Sequence, residues 1–335
     1  MADVTEDDIQ QKPDKRPGLS QSERQWLQVQ KTQQRDTSLY LDTHSLKREM
    51  QQWVFPLHFI DFETTRVAIP FNQGRNPYEL VAFQFSHHVV ESDGSLRHHS
   101  EFLTTERGVF PNYDFLRALQ RGLEVNEGSI FRYGTHENST LIEIDRQLAK
   151  EAHPPSDASE LREFIRLITT SSKDSVEKWS GRRAMIDMCE LVKRYFYAPA
   201  TNGSNSIKAV LPAVLNQSEY LKERYSQPVY GDGVTILSKN FRNKVWVQMD
   251  GPKSVDPYKL LPRMFADVSE HDFNRLSRED ELKEGGAAMA AFARMQFEEM
   301  DEVERQAIRS ALLRYCELDT FAMVMIYEAW REWVG

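Results

Sequence analysis

The stretch from Leu57 to Glu63, Leu-His-Phe-Ile-Asp-Phe-Glu, constrains the fold of this chain more than any other. Side chains alternate faces along a strand, so Leu57, Phe59, Asp61 and Glu63 share one face while His58, Ile60 and Phe62 share the other. The pattern predicts an apolar strand ending in two carboxylates, about 6.5 Å apart by the rise per residue. Acids on one face repel unless positive charge lies between them, and hard oxygen donors suit Mg²⁺ or Mn²⁺. A strand running out into a solvated acidic turn explains the same residues.

A second acid stands out near the C-terminus. Residues 303–334 contain no proline or glycine and read as one helix, with Leu312, Cys316, Met323, Ile326 and Trp330 at helical spacing. Asp319 falls on that apolar stripe, where a carboxylate costs several kcal/mol unless it is paired or holds a cation. Arg314 is a candidate ion-pair partner, and metal ligation is the competing role. Tyr315 lies four residues before Asp319, so the phenol and the carboxylate project from one side of the helix.

Asp-x-Glu on a first strand with Tyr-x-x-x-Asp on a late helix resembles the DEDD exonucleases of the ribonuclease-H-like fold, in their tyrosine-bearing branch. More closely, the chain resembles an uncharacterised bacterial family of domains of unknown function thought to carry that core. The resembling segments are residues 59–64, 68–70, 76–79, 83–86, 203–208 and 315–320, spread from about residue 55 to the end. The resemblance implies an α/β fold with a ribonuclease-H-like mixed sheet flanked by helices. It also implies a further acid, best matched by Glu137 in Tyr-Gly-Thr-His-Glu-Asn-Ser-Thr-Leu (residues 133–141). There Glu137 stands in place of an aspartate, and His136 in place of an aromatic residue. Asp187, after the short apolar run at residues 184–186, is a rival for that role.

On this resemblance, Asp61, Glu63, Asp319 and Glu137 hold two divalent cations, Mg²⁺ or Mn²⁺. Asp61 bridges them, and Tyr315 orients the attacking water. A pair of metals clamps the attacking and leaving oxygens of an in-line displacement. The implied reaction releases nucleotides from the 3′ ends of single-stranded DNA or RNA. Phe62, Thr64, His136 and Lys208 lie in the resembling segments and are candidate substrate contacts. So are Arg66, Arg75 and Arg132, although surface cations are more often plain solubilising groups. Two other functions fit the same residues: a nucleic-acid-binding or scaffold module that keeps the fold without activity, and a phosphoesterase acting on short oligonucleotides.

Composition neither demands nor forbids this. With 42 Lys and Arg against 51 Asp and Glu, the net charge is −9, the opposite of the usual nucleic-acid binder. Cations in a site supply positive charge where a phosphate docks, so an acidic total is compatible with such a ligand. The two cysteines, Cys189 and Cys316, sit in apolar surroundings without pair-like spacing and read as reduced core residues. No apolar run has the length of a membrane span. The polar, acidic start of the chain lacks the pattern of a secretory leader. A cytoplasmic location, away from membranes, is expected.

Residues 1–18, rich in Asp, Gln, Lys and Pro, read as a disordered tail. Ser20 and Glu23 form a capping box that opens an N-terminal helical arm over residues 19–54. The remainder, 55–335, reads as the exonuclease-type domain, with insertions near 153–183 and 217–282. Strands are predicted at 81–90 and 96–103, joined by a hairpin turn at 91–94. Helices are predicted at 114–123, 138–151 and 161–168. The aromatic residues Tyr220, Tyr225, Tyr230, Trp246 and Tyr258 in the second insertion fit buried packing better than stacking on bases.

Overall fold

The computed structural model describes residues 4–261 and 282–335. Ser20 caps α1 (Gln21–Gln34) by accepting from the Glu23 N–H, while the Glu23 carboxylate accepts from the Ser20 N–H. The predicted capping box is formed. After β1 (Tyr40–Leu41), α2 (Thr43–Met50) leads into β2 (Leu57–Thr65). Strands β3 (Val81–Val90) and β4 (Leu96–Leu103) follow as an antiparallel meander with β2, turning at residues 91–94 as the sequence predicts.

The chain then alternates helices with short strands: α3 (Asn112–Leu123), β5 (Ile130–Arg132), α4 (His136–Lys150), α5 (Ala158–Ile168) and β6 (Ile186–Asp187). Next come α6 (Met188–Tyr195), β7 (Phe196–Tyr197), α7 (Ile207–Gln217), α8 (Glu219–Tyr225) and β8 (Ile236–Leu237). The main sheet has the order β6-β5-β2-β3-β4-β8. Strand β5 runs parallel to β2, β6 parallel to β5 and β8 parallel to β4. This mixed sheet with helices on both faces is a ribonuclease-H-like α/β fold.

Alternation along β2 divides the core. Leu57 and Phe59 pack with α6, α7, α8 and the C-terminal helix (Glu302–Val334), whereas Ile60 and Phe62 pack with α3, α4 and α5. Residues 316–330 of the C-terminal helix are all buried, so this helix is enclosed on every side rather than along one stripe. It lies across β2 and β3 and presses whatever polar groups it carries into the interior. A further helix, Leu282–Phe297, packs on β3 through Phe292, whose ring stacks on Phe83.

Both segments read as insertions supply core. Leu161, Phe164, Ile165 and Ile168 of α5 are buried, and Tyr225, Tyr230 and Trp246 are buried around Phe321. The portion of the second segment at residues 262–281 lies outside the described residues. Near the N-terminus, Asp14 pairs with Arg194 of α6, and the Leu19 N–H donates to the Arg194 carbonyl. Among the described residues no helix is long and apolar enough to cross a membrane.

Candidate metal centre

The acids of β2 stand inside the strand rather than at its end, because pairing with β3 continues to Thr65 after a register shift between Glu63 and Thr64. Such shifts re-aim side chains. Across the sheet face lies the C-terminal helix, where Asp319 follows Tyr315 by one turn. One carboxylate oxygen from each of Asp61, Glu63 and Asp319 lies within 4.8 Å of the other two. The sequence-predicted trio is therefore a cluster in space.

Its electrostatics are those of crowded anions in a dry place. Burial, then the charges of Asp319, Glu137 and Glu63, push Asp61 well above the ordinary carboxylate range. Burial and Asp319 do the same to Glu63, opposed by the Lys208 ammonium. The Cys316 thiol donates to Asp61 Oδ2 at 3.5 Å, and the Tyr258 hydroxyl donates to Asp319 Oδ1 at 2.5 Å. Neither donor carries positive charge. Three oxygen donors with like charge and little solvent fit a hard divalent cation.

Glu137 opens α4 and is buried. Its charge reaches Asp61 and Glu63, although it stands outside the close trio. Burial raises it to about 8; backbone N–H groups of Glu137 and Phe62 and the Arg132 charge pull the other way, while Asp187 adds to the rise. Its Oε2 makes no hydrogen bond. A glutamate at this position thus approaches the trio as a fourth acid from the α4 side.

Asp187 has a different task. Its Oδ1 accepts from the backbone N–H groups of Gly134 and Cys189, and its Oδ2 accepts from Arg132 at 2.9 Å. It caps α6 and joins β5 to β6, so its lone pairs are committed to the scaffold.

Tyr315 accepts a hydrogen bond from Lys208 Nζ at 2.6 Å. Lys208 stands in the first turn of α7, opened by Ser206, whose hydroxyl accepts from the Lys208 N–H. The ammonium lies 5.2 Å from the Tyr315 ring centroid and 5.5 Å from that of Tyr258. Lys208, Tyr315, Tyr258 and Asp319 therefore form one polar wall beside the acids. Thr64 Oγ1 lies 3.3 Å from His136 Nε2 at the exposed edge.

Phe62 is the correction among the expected substrate contacts. Its side chain turns to the opposite face and packs edge-on against Phe115, with ring centroids 4.9 Å apart. Alternation along β2, already readable in the sequence, excludes it from the acidic face. Arg314 is likewise not the partner of Asp319: its Nε donates to the Asn240 carbonyl. One hydrogen-bond donor to Asp319 is Tyr258, from the short helical turn Pro257–Leu260. No local signal in the sequence distinguishes Tyr258 from its buried aromatic neighbours. Cys316 is buried as expected, yet it also lines the site.

No curated protein and no solved structure matches the chain. Residues 58–206, which carry Asp61, Glu63 and Glu137 and stop short of Lys208, are similar to the family described as Domain of unknown function (DUF2779).

Proposed function

We propose that this chain is a metal-dependent 3′–5′ exonuclease that hydrolyses phosphodiester bonds of single-stranded nucleic acid. The observation that carries this reading is the convergence of Asp61, Glu63 and Asp319 within 4.8 Å, beside a tyrosine held by a lysine. Asp61, Glu63 and Asp319 would hold the divalent cations, with Glu137 on the α4 side. Cations bound there supply the positive charge that stabilises a phosphodiester under attack by water.

The protein's own groups account for the rest. Because Lys208 donates to the Tyr315 oxygen, the phenol proton is directed to a second acceptor, and the hydroxyl is held where it can orient water. The unperturbed phenol pKa near 10 favours orientation over proton abstraction. The Lys208 charge also offsets part of the carboxylate field felt by an approaching phosphate. His136 and Thr64, at the exposed edge, are placed to meet the nucleotide.

The test is cleavage of 5′-labelled single-stranded DNA and RNA in Mn²⁺, Mg²⁺ or EDTA. A ladder shortening from the 3′ end, dependent on metal and lost in Asp61→Asn, supports the reading. No cleavage of either polymer by the folded wild-type chain overturns it. The net charge of −9, which suits a substrate too short to need a long basic groove, favours a second reading, a phosphoesterase of short oligonucleotides. That reading predicts that dinucleotides are cleaved and outcompete long strands.

A further inference from the structure

On the other side of the C-terminal helix, Glu317 is buried two residues before Asp319, about 200° around the helix axis by its 3.6-residue turn. It meets His98 and Glu101 of β4. One ligand atom from each of these three residues lies within 4.8 Å of the other two. His98 is fully enclosed and its Nδ1 lies 3.2 Å from Glu317 Oε2, yet that nitrogen makes no hydrogen bond.

The protons of the surrounding network can be followed. Glu317 Oε1 accepts from the Tyr230 hydroxyl at 2.6 Å and also from Ser238. The Tyr230 proton is thereby committed, so His88 Nε2, 2.8 Å away, donates to the Tyr230 oxygen. Burial holds His88 well below its ordinary value and therefore neutral, so its Nδ1 accepts from Thr320 Oγ1 at 2.7 Å. Thr320 in turn accepts from Ser86 Oγ at 2.7 Å. Ser86, having given its proton, accepts from His98 Nε2 at 3.1 Å. With Nε2 turned to Ser86, the buried Nδ1 of His98 faces the acid cluster, 3.2 Å from Glu317 Oε2 and without a hydrogen bond.

We propose that His98, Glu101 and Glu317 form a second cation site, selective for a transition ion such as Zn²⁺ over Mg²⁺. One imidazole with two carboxylates is a borderline-soft donor set. Two ligands on a tetrahedral Zn²⁺ stand about 3.3 Å apart given bonds of about 2.0–2.1 Å, and His98 Nδ1 and Glu317 Oε2 are at 3.2 Å. The Nε2–H bond to Ser86 is the outer hydrogen bond that orients a ligating histidine. Asn240 Nδ2 donates to Glu101 Oε2 at 2.6 Å and to Glu317 Oε2 at 2.8 Å. Rotation of its amide by half a turn offers Oδ1 as a fourth ligand. The site would tie β4 and the loop after β8 to the helix that carries Tyr315 and Asp319.

The experiment uses the full chain with the acidic trio disabled by Asp61→Asn and Asp319→Asn, so that it does not depend on the proposed activity. Co²⁺ is titrated and read by visible absorption, then displaced with Zn²⁺. One Co²⁺ per chain with d–d bands is expected. Glu101→Gln, at the half-buried edge of the site, should weaken affinity by about 10–100-fold, and His98→Gln should abolish the bands. Absence of Co²⁺ binding in the trio-disabled chain overturns the proposal, leaving His98 and Glu317 as a buried ion pair. So does binding that Glu101→Gln and His98→Gln leave unchanged. Should His98→Gln fail to fold, the Glu101→Gln affinity decides.

Discussion

The Tyr258 hydroxyl donates to Asp319 Oδ1 across 2.5 Å, joining the turn at residues 257–260 to the helix that completes the acidic trio. This hydrogen bond stabilises a buried carboxylate when no cation is bound. Tyr258→Phe removes it while keeping the ring against Lys208. The chain in EDTA should lose about 1.5–3 kcal/mol, the range for a hydrogen bond to a charged group. Saturating Mn²⁺ should recover most of that loss. Urea denaturation with and without Mn²⁺ measures both. An equal loss under the two conditions would show that Tyr258 matters to packing and not to the charge on Asp319.

Under the proposed activity, the Lys208–Tyr315 pair should separate cation binding from turnover. Lys208 Nζ and the Tyr315 hydroxyl are bonded to each other at 2.6 Å, and neither is one of the three carboxylates. Tyr315→Phe should keep Mn²⁺ affinity within a few-fold and lower kcat by about 10²-fold or more, the range for a positioned group that manages a proton or its water. Lys208→Met should lower kcat through the same hydroxyl, and the double variant should fall little further than Tyr315→Phe. Additive losses would show that the two residues act independently.

Crowded carboxylates also make a stability prediction. Asp61, half-buried, and Glu63, buried, stand among like charges and are pushed well above the ordinary range, so an amide at Asp61 removes an unfavourable charge from the metal-free protein. In EDTA, Asp61→Asn should raise Tm by about 1–3 °C, since about 1 kcal/mol corresponds to roughly 1.5 °C in a chain of 335 residues. In Mn²⁺ the order should reverse, with the wild-type chain gaining more. A Tm lowered in both conditions would mean that Asp61 is held by hydrogen bonds rather than opposed by its neighbours.

Much of this arrangement was readable before the structure, for identifiable reasons. Period-two alternation fixes which face Asp61, Glu63 and Phe62 occupy, and helical spacing puts Tyr315 with Asp319. Those regularities are local. The hairpin at residues 91–94 and the Ser20–Glu23 box are local too, and both are formed. The Tyr258–Asp319 bond spans 61 residues and the Lys208–Tyr315 bond 107, and no short window records such pairings. The polar ring at His98, Ser86, His88 and Tyr230 was hidden for another reason. Along β3 and β4 these histidines occupy positions where sequence patterning registers only a polar residue, whereas the structure buries them.

Asp187 provides a control for the fourth acid. It spends its oxygens on Gly134, Cys189 and Arg132, while Glu137 Oε2 makes no hydrogen bond. Asp187→Asn should destabilise the fold by about 2–4 kcal/mol, combining a lost helix cap with a broken buried ion pair, and leave Mn²⁺ affinity unchanged. Glu137→Gln should do the reverse, weakening cation binding at little cost to the metal-free fold. Calorimetric Mn²⁺ titration alongside urea denaturation distinguishes the two. Weakened affinity in Asp187→Asn with Glu137→Gln unaffected would exchange their assignments.

The histidines of the sheet set the acid limit of stability. Burial lowers His58 to about 4 from its ordinary 6.5, with the Asn126 hydrogen bond opposing the fall, and burial lowers His87 and His88 well below it too. A folded pKa below the unfolded one means that the unfolded chain binds more protons in between. The contribution is therefore fully present above about pH 6.5 and is lost as pH falls toward 4. For His58 alone the loss is about 3 kcal/mol across that window. The raised carboxylates titrate in the opposite sense, so the informative quantity is a difference between variants. Urea denaturation in EDTA from about pH 7 to about pH 4 should show the wild-type chain losing about 3 kcal/mol more than His58→Gln. Parallel curves would mean that His58 becomes protonated within the fold, with the charge shared along the 2.9 Å contact to His87.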